Sequence, residues 1–220
     1  SIHPHRIKSG LLKGNRIITS WYDYPAAILG YTEENLISWL AANVKPGETW
    51  LDVGAHYGFT AIAMCKLVGE AGRVYAFEPM ISTAGYLYQT RAINNFPQLI
   101  VLPLALGNAE DGFLIGKSSS TRGMIESNRQ ITGLKEIFYI SSLDWLWPKI
   151  SEPGKKIDGI KIDVQGMEIE TLRGMRETLI LWQPKLIVEF QQGVDRSVLI
   201  NYLNDVGYAS KGIPIETNEA

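Results

Sequence analysis

From Thr49 to Phe190, short apolar runs alternate with longer stretches of helical spacing. Thr49–Val53, Arg73–Phe77, Leu99–Leu104, Ile157–Ile162 and Leu186–Phe190 are strand-length and apolar at most positions, as expected of strands covered on both faces. Gly58–Val68, Ser82–Asn95, Met167–Arg176 and Asp195–Asp205 read as helices, with Ser82 as an N-cap. Upstream, Leu36, Ile37, Leu40, Ala41 and Val44 form one stripe, predicting a helix over 34–44 that Pro46-Gly47 stops. Strands separated by helix-length crossovers predict an α/β fold with a doubly wound, mostly parallel sheet. A closing strand or hairpin is expected over Tyr208–Glu216.

Two stretches break this rhythm. Leu11–Ile18 reads as two short strands about a Gly14-Asn15 turn. Between Gly107 and Trp147, Gly112–Gly116 and Ile137–Ile140 look like added strands, with a polar loop from Lys117 to Arg129 that reads as a solvated loop or as a lid. Trp145 and Trp147 are expected to cover one sheet edge, and Trp39 and Trp50 to lie in the core. Nothing resembles a linker, so residues 34–220 are read as one domain, preceded by an extension, residues 1–33, that packs on the core or covers its site.

Composition narrows the class. The 220 residues are 45% hydrophobic and 20% charged, the profile of a folded domain. Lys and Arg number 21 against 23 acids, a net charge of −2, which lacks the basic excess of a dedicated nucleic-acid binder. The longest apolar stretch, Leu99–Leu106, contains Pro103 and is too short to span a membrane, and Ser1–Lys8 lacks the apolar centre of a signal peptide. The single cysteine, Cys65, excludes an internal disulfide and fits a reducing cytoplasm.

In doubly wound sheets, ligands bind beyond the carboxyl ends of the strands. Here those ends are Asp52, Glu78, Leu104-Ala105, Asp163 and Glu189. A charge that ends an apolar strand must find a partner or a ligand. Asp52 leads into Val53-Gly54-Ala55-His56-Tyr57-Gly58, where Gly54 and Gly58 permit a tight turn and close approach by a ligand. Glu78, turned out of its strand by Pro79, can accept both hydroxyls of a ribose. The G-x-G-x-x-G spacing of dinucleotide sites is absent, and Asp52 is a poor neighbour for a pyrophosphate but a good one for a cation. A ligand with a ribose, a positive amino group and no phosphates fits better, as in S-adenosylmethionine. Blander readings stand beside these. Asp52 could cap its turn, Asp163 could pair with Lys161 or Lys185, and Glu168 and Glu170 could support a helix start.

The stretches L-D-V-G-A-H-Y-G-F-T (51–60), V-Y-A-F-E-P (74–79), N-N-F (94–96), L-A-L-G-N (104–108), I-D-G-I-K-I-D-V-Q-G-M-E-I-E-T-L-R-G (157–174) and P-K-L-I-V-E-F (184–190) resemble the FkbM-type family of S-adenosylmethionine-dependent methyltransferases. The resemblance implies a Rossmann-like class I methyltransferase fold with an antiparallel closing strand. It also implies that Gly54, Ala55, His56, Tyr57 and Gly58 surround the methionine part of the cofactor, with Asp52 nearby. Glu78, beside Pro79, would hold the ribose, and the backbone of Ala105, Leu106 and Gly107 would flank the adenine. Two positions depart from the family pattern: His56 stands where Asn is usual, and Gln165 where Glu is usual.

The implied reaction is displacement of an activated methyl by a nucleophile, which needs alignment and removal of a proton. Asp163, bordering the cofactor at the fourth strand tip, is the expected base, with Glu189 at the neighbouring tip and Glu168 after Gly166. A divalent ion shared by such carboxylates is the alternative and is not expected. The fourth tip lacks the Asn/Asp-Pro-Pro-aromatic turn of nucleic-acid amine methyltransferases, and no Pro-Cys nucleophile is present. The expected acceptor is therefore a hydroxyl on a small molecule, sugar or glycan, with Trp21, Tyr22, Tyr24 and Tyr31 either walling its pocket or packing. Neither a nucleic acid nor a membrane is expected as a partner, and a homodimer through the N-terminal segment stays open. Competing readings are a nicotinamide-dependent (NAD) oxidoreductase and a cofactor-binding protein without catalysis, the latter favoured by Gln165.

Overall fold

The computed structural model describes residues 1–119, 124–126, 136–190, 196–209 and 212–215. The chain opens with an antiparallel pair, β1 (His3–Arg6) and β2 (Arg16–Thr19), in which His5 lies opposite Ile17. The expected hairpin over Leu11–Ile18 is thus displaced. Its second strand is present, but its first is His3–Arg6, and Leu11–Lys13 lie in the turn between. The physical reason is that Ile7 and Leu12 are both buried, and a wide loop closes on hydrogen bonds between Ile7 and the backbone of Asn15 and Gly14. A short helix follows, α1 (Pro25–Leu29), started by Pro25 and ended by Gly30 in the left-handed region. Next comes α2 (Glu34–Asn43), on the predicted stripe.

The core then winds through β3 (Thr49–Val53), α3 (Phe59–Val68), β4 (Arg73–Phe77), α4 (Ile81–Asn94) and β5 (Leu99–Leu102). Pro103 interrupts the run expected to reach Leu104. Beyond it β6 (Ala105–Leu106) joins a second sheet with β7 (Gly112–Ser119), β8 (Met124–Glu126) and β9 (Glu136–Ser141), in the order β6-β9-β7-β8. The polar loop read over 117–129 is therefore partly strand, since 117–119 pair antiparallel with 124–126. Residues 120–123 and 127–129 of it lie outside the described residues.

After β9, α5 (Leu143–Ile150) starts at Ser142, whose hydroxyl accepts from the Trp145 amide. Trp147 is buried and meets Tyr75 of β4 edge-on at 4.8 Å, so it covers the sheet's face rather than its edge. The chain returns to the main sheet as β10 (Gly159–Ile162), then α6 (Glu168–Arg173), α7 (Arg176–Trp182), β11 (Lys185–Val188) and α8 (Arg196–Asp205). The single helix expected over 167–176 ends early. Gly174 packs so closely on Gly107 that a Cβ there would lie 1.9 Å from the Gly107 carbonyl oxygen.

The main sheet is parallel throughout, in the order β11-β10-β3-β4-β5. Chain direction across the sheet reverses between β3 and β10, which places a topological switch point at their carboxyl ends. Alternation sorts the side chains. Trp50, Val74 and Ala76 join a cluster with α3 and with Ile7, Leu12, Ile17 and Ile28 from the N-terminal segment. Leu51, Val53, Tyr75, Phe77, Ile160 and Ile162 face the other way, onto α5, α7 and α8. Both faces are covered, as the apolar strands predicted. Of the closing strand expected over 208–216, residues 208–209 and 212–215 are described and are not in strand; the rest lies outside the described residues.

Candidate functional site

The close approach of β3 and β10 at the switch point requires glycine. Gly54 has φ +82°, and a Cβ on it would lie 1.8 Å from the Asp163 carbonyl oxygen. The turn is held by the amides of Gly54 and Ala55, which both donate to the Phe77 carbonyl at 3.0 Å. His56 follows at φ +50°, in the left-handed region where Asn is favoured over most side chains. The departure at 56 therefore places a bulkier ring in a conformation that histidine, like Asn, adopts more readily than most residues.

Glu78 closes the next tip. It is 5% exposed, and its oxygens accept from the amides of His56 at 2.9 Å and Met80 at 3.0 Å. The carboxylate thus ties the glycine turn to the start of α4. Burial pushes it up to about 7, against the pull of the two amides and with the Asp52 charge adding to the rise.

A cleft opens between these tips. Its walls come from Val53 and Gly54, from Phe77, Glu78 and Pro79, from Leu104, Ala105 and Leu106, and from Asp163, Val164 and Met167. Gly54, Glu78, Pro79, Ala105, Leu106 and Asp163 of the predicted set thus share one cleft. Ala55, His56, Tyr57 and Gly58 form the turn beside it and do not line it. Asp52 is fully enclosed beneath the turn and does not line the cleft. Glu189 lies half-buried at the neighbouring tip, its amide bonded to the Ile162 carbonyl at 2.9 Å. Glu168 is 1% exposed and accepts from the Gly166 amide at 2.9 Å, so one of its oxygens shapes its own turn.

Lys161 was not singled out by sequence except as one of two pairing partners for Asp163. It lies opposite Asp52 in the β10–β3 register and is 3% exposed. Its ammonium sits 3.3 Å from Asp52 Oδ1 and 3.5 Å from Asp163 Oδ2. The Gln165 amide reaches the other Asp163 oxygen at 3.4 Å. The Asp52 oxygens have no hydrogen-bond partner apart from this ion pair, and burial raises Asp52 to about 6 although Lys161 opposes the rise. Burial also opposes the charge on Lys161. Asp52, Asp163, Glu33 and Glu189 outweigh it and hold the ammonium well above the usual lysine range.

The N-terminal segment supplies the remaining wall of this charged face. Glu33, left-handed at φ +53°, accepts from the Thr60 hydroxyl at 2.6 Å. The Tyr24 ring lies 5.7 Å from that of His56 and 6.3 Å from that of Tyr57. Burial and the nearby Glu33 push the Tyr24 phenol above its ordinary range, and burial with the Lys161 charge lowers His56 to about 4, leaving its ring neutral at pH 7. Of the five described non-glycine residues with positive φ, Glu33, His56 and Gln165 belong to this region, and such strain concentrates at functional sites. Among the described residues, no three His, Cys, Asp or Glu side chains are grouped so as to hold a metal ion. No described helix is long and apolar enough to cross a membrane.

A parallel sheet of this order, with a glycine turn after its central strand and a buried glutamate at the next tip, defines the Rossmann-like fold of the class I methyltransferases. The Methyltransferase FkbM domain matches residues 52–209, and the chain belongs to that family of methyl-transferring enzymes. A methyltransferase FkbM from Methylobacillus flagellatus KT shares the fold with a TM-score of 0.53 at 16% identity, over 77% of this chain and 44% of that one. The chain therefore spans less than half of that relative. A Clostridium thermocellum protein assigned as an rRNA methylase superposes with a TM-score of 0.52 at 12% identity, covering 79% of each chain. No curated protein matches the sequence.

Proposed function

We propose that the protein transfers the methyl group of S-adenosylmethionine to a hydroxyl on a small molecule, sugar or glycan. The observation that carries this reading is the position of Asp163. It lines the cleft beside Gly54 while an ion pair anchors it to a buried lysine. The cleft fits the cofactor. Gly54 lets the β3 and β10 tips close on each other at the cleft, Glu78 offers buried oxygens to ribose hydroxyls, and Leu104, Ala105 and Leu106 give an apolar wall for a base. The Gly54–Gly58 turn would hold the methionine end, with the Asp52 charge beneath it. When bound, the cofactor supplies a methyl on a sulfonium, whose carbon–sulfur bond breaks, with its electron pair staying on sulfur, as the oxygen–carbon bond forms.

Asp163 takes the proton of the acceptor hydroxyl as that oxygen attacks, and Glu189 at the adjoining tip adds negative charge on the same face. His56, held neutral, is not the cationic partner of this proton transfer. Residues 1–33 form the acceptor side of the site. Tyr24 faces the glycine turn, and Trp21 and Tyr22, 52% and 87% exposed in the adjoining turn, offer flat surfaces of the kind that pack against sugar rings.

Calorimetry with S-adenosylmethionine, S-adenosylhomocysteine and NAD, followed by methyl transfer to a panel of hydroxylated acceptors, tests the proposal. Binding of the first two but not of NAD is expected, with turnover on at least one hydroxyl. Binding of NAD alone would sink it, and binding of the methyl donor with no turnover would point to a non-catalytic binder. Asp163→Asn should lower turnover by about 100-fold or more, the usual scale for a lost general base, while donor affinity stays within a few-fold.

A further inference from the structure

The charged face beneath the cleft contains a lysine to which the proposed transfer assigns no role beyond its ion pair with Asp163. Lys161 projects from the middle of an apolar strand between Ile160 and Ile162, a position where a lysine is costly unless paired. It is nevertheless 3% exposed, and two carboxylates from different positions on the sheet converge on it. Asp52 comes from the central strand and is itself fully enclosed. Asp163 comes from the tip of the lysine's own strand and borders the cleft. A residue needed only to fill the sheet would be an isoleucine or valine, and a residue needed only to neutralise Asp52 would have no reason to reach toward Asp163.

We propose that Lys161 is a positioning residue for methyl transfer, anchored by Asp52 and holding the Asp163 carboxylate toward the cleft so that it meets the acceptor hydroxyl. This rests on the reading of Asp163 as the base. The anchor is rigid because Asp52 and Lys161 are register partners on neighbouring parallel strands, both inside the sheet. The held group is adjustable because Asp163 lies just beyond the last residue of β10, where the backbone turns away into Val164 and Gln165. Gln165 steadies the second oxygen at 3.4 Å, a contact in which an amide stands where the family usually has an acid. Glu33 at the start of α2 and Glu189 at the tip of β11 face the same ammonium and add to the field that keeps it charged. Because the donor's methionine end is assigned to the Gly54–Gly58 turn, loss of the lysine should affect the reacting geometry and leave donor binding largely intact.

Two variants separate this role from a purely structural one. Lys161→Met alone leaves the enclosed Asp52 without a counter-charge and risks misfolding, so the informative variant is Asp52→Asn combined with Lys161→Met, which removes the buried pair together. Lys161→Arg keeps the charge. In the cofactor-free proteins, carbon-13 NMR of the side-chain carboxyl of Asp163 should show a displaced, broadened resonance in the double variant and a near-native one in Lys161→Arg. On the acceptor identified by the panel and at saturating donor, kcat should fall at least about tenfold in the double variant and recover in part with arginine, while the calorimetric donor affinity of Lys161→Arg, which keeps Asp52, stays within about threefold of native. An unmoved Asp163 resonance in the folded double variant overturns the proposal. So does a parallel loss of donor affinity and turnover in Lys161→Arg. If instead the resonance moves but Asp163→Asn retains full turnover, Lys161 still positions Asp163 and it is the assignment of the base that fails.

Discussion

At the residue scale, the site is built from positions whose backbone leaves little choice of side chain. Gly54→Ala would place a methyl against the Asp163 carbonyl in a left-handed conformation, so the β3 and β10 tips would have to part. The expected cost is about 2–4 kcal/mol with loss of donor binding, read as a fall in Tm and a flat calorimetric trace. His56 is the converse case, a position with more freedom of choice. His56→Asn should raise stability by up to about 1 kcal/mol, because Asn enters the left-handed region more readily still than histidine. The gain should also depend on pH. His56 falls from its ordinary 6.5 to about 4 on folding, so between those values the unfolded chain binds the proton that the folded one refuses. Stability is therefore lost on acidification through that window, and the advantage of Asn should widen from pH 6.5 toward 4. Denaturant melts of the two proteins at several pH values check this, and a constant difference would remove the burial argument for His56.

At the scale of elements, the five strands of the main sheet were readable because each is covered on both faces and so is apolar at nearly every position. The strand tips were readable for the same reason, since an acid at the end of such a run stands out. What failed has a common cause. The first strand of the N-terminal hairpin, His3–Arg6, carries two histidines and an arginine and has no alternation to reveal it. It forms because the hairpin docks on α4. The Ile18 amide donates to Thr90, the Arg16 amide donates to the Asn94 side chain at 2.8 Å, and Asn94 in turn donates to the Arg16 carbonyl at 2.6 Å. Lys161 was missed as a functional candidate because its partner Asp52 is far away in sequence, and only the register of two parallel strands brings them together. Asn94→Ala removes both side-chain bonds to Arg16 and should cost about 1–3 kcal/mol. If residues 1–33 wall the acceptor side, the same variant should raise KM for the acceptor and leave donor affinity unchanged; a change in donor affinity alone would place this segment elsewhere in function.

At the scale of the whole molecule, acidic groups gather around the switch point. Asp52 and Asp163 pair with the buried Lys161 ammonium, Glu33 and Glu189 add to its field, and Glu78 stands at the next tip. A cationic ligand complements such a region, which is the electrostatic reason to expect a sulfonium donor rather than a pyrophosphate there. Glu78 makes binding pH-dependent. Glu78 rises from its ordinary 4.5 to about 7 when buried, so the folded, ligand-free protein holds a proton on it through much of the range below 7. An ionised carboxylate accepts ribose hydroxyls best and attracts the positive donor, so binding favours loss of that proton. Affinity for S-adenosylmethionine should therefore strengthen as pH rises from about 5.5 to 7 and level off above, with protons released to buffer on binding in that window. In the absence of ligand the sign for stability is reversed. A carboxyl whose folded value is raised favours the folded state while protonated, and that contribution declines as pH climbs from 4.5 through about 7. Glu78→Gln, which keeps the shape and cannot ionise, should weaken binding at pH 8, flatten the pH dependence and abolish the proton release. Calorimetry in two buffers of different ionisation enthalpy measures all three effects, and a native protein that releases no protons across this range would mean that Glu78 does not face the ribose.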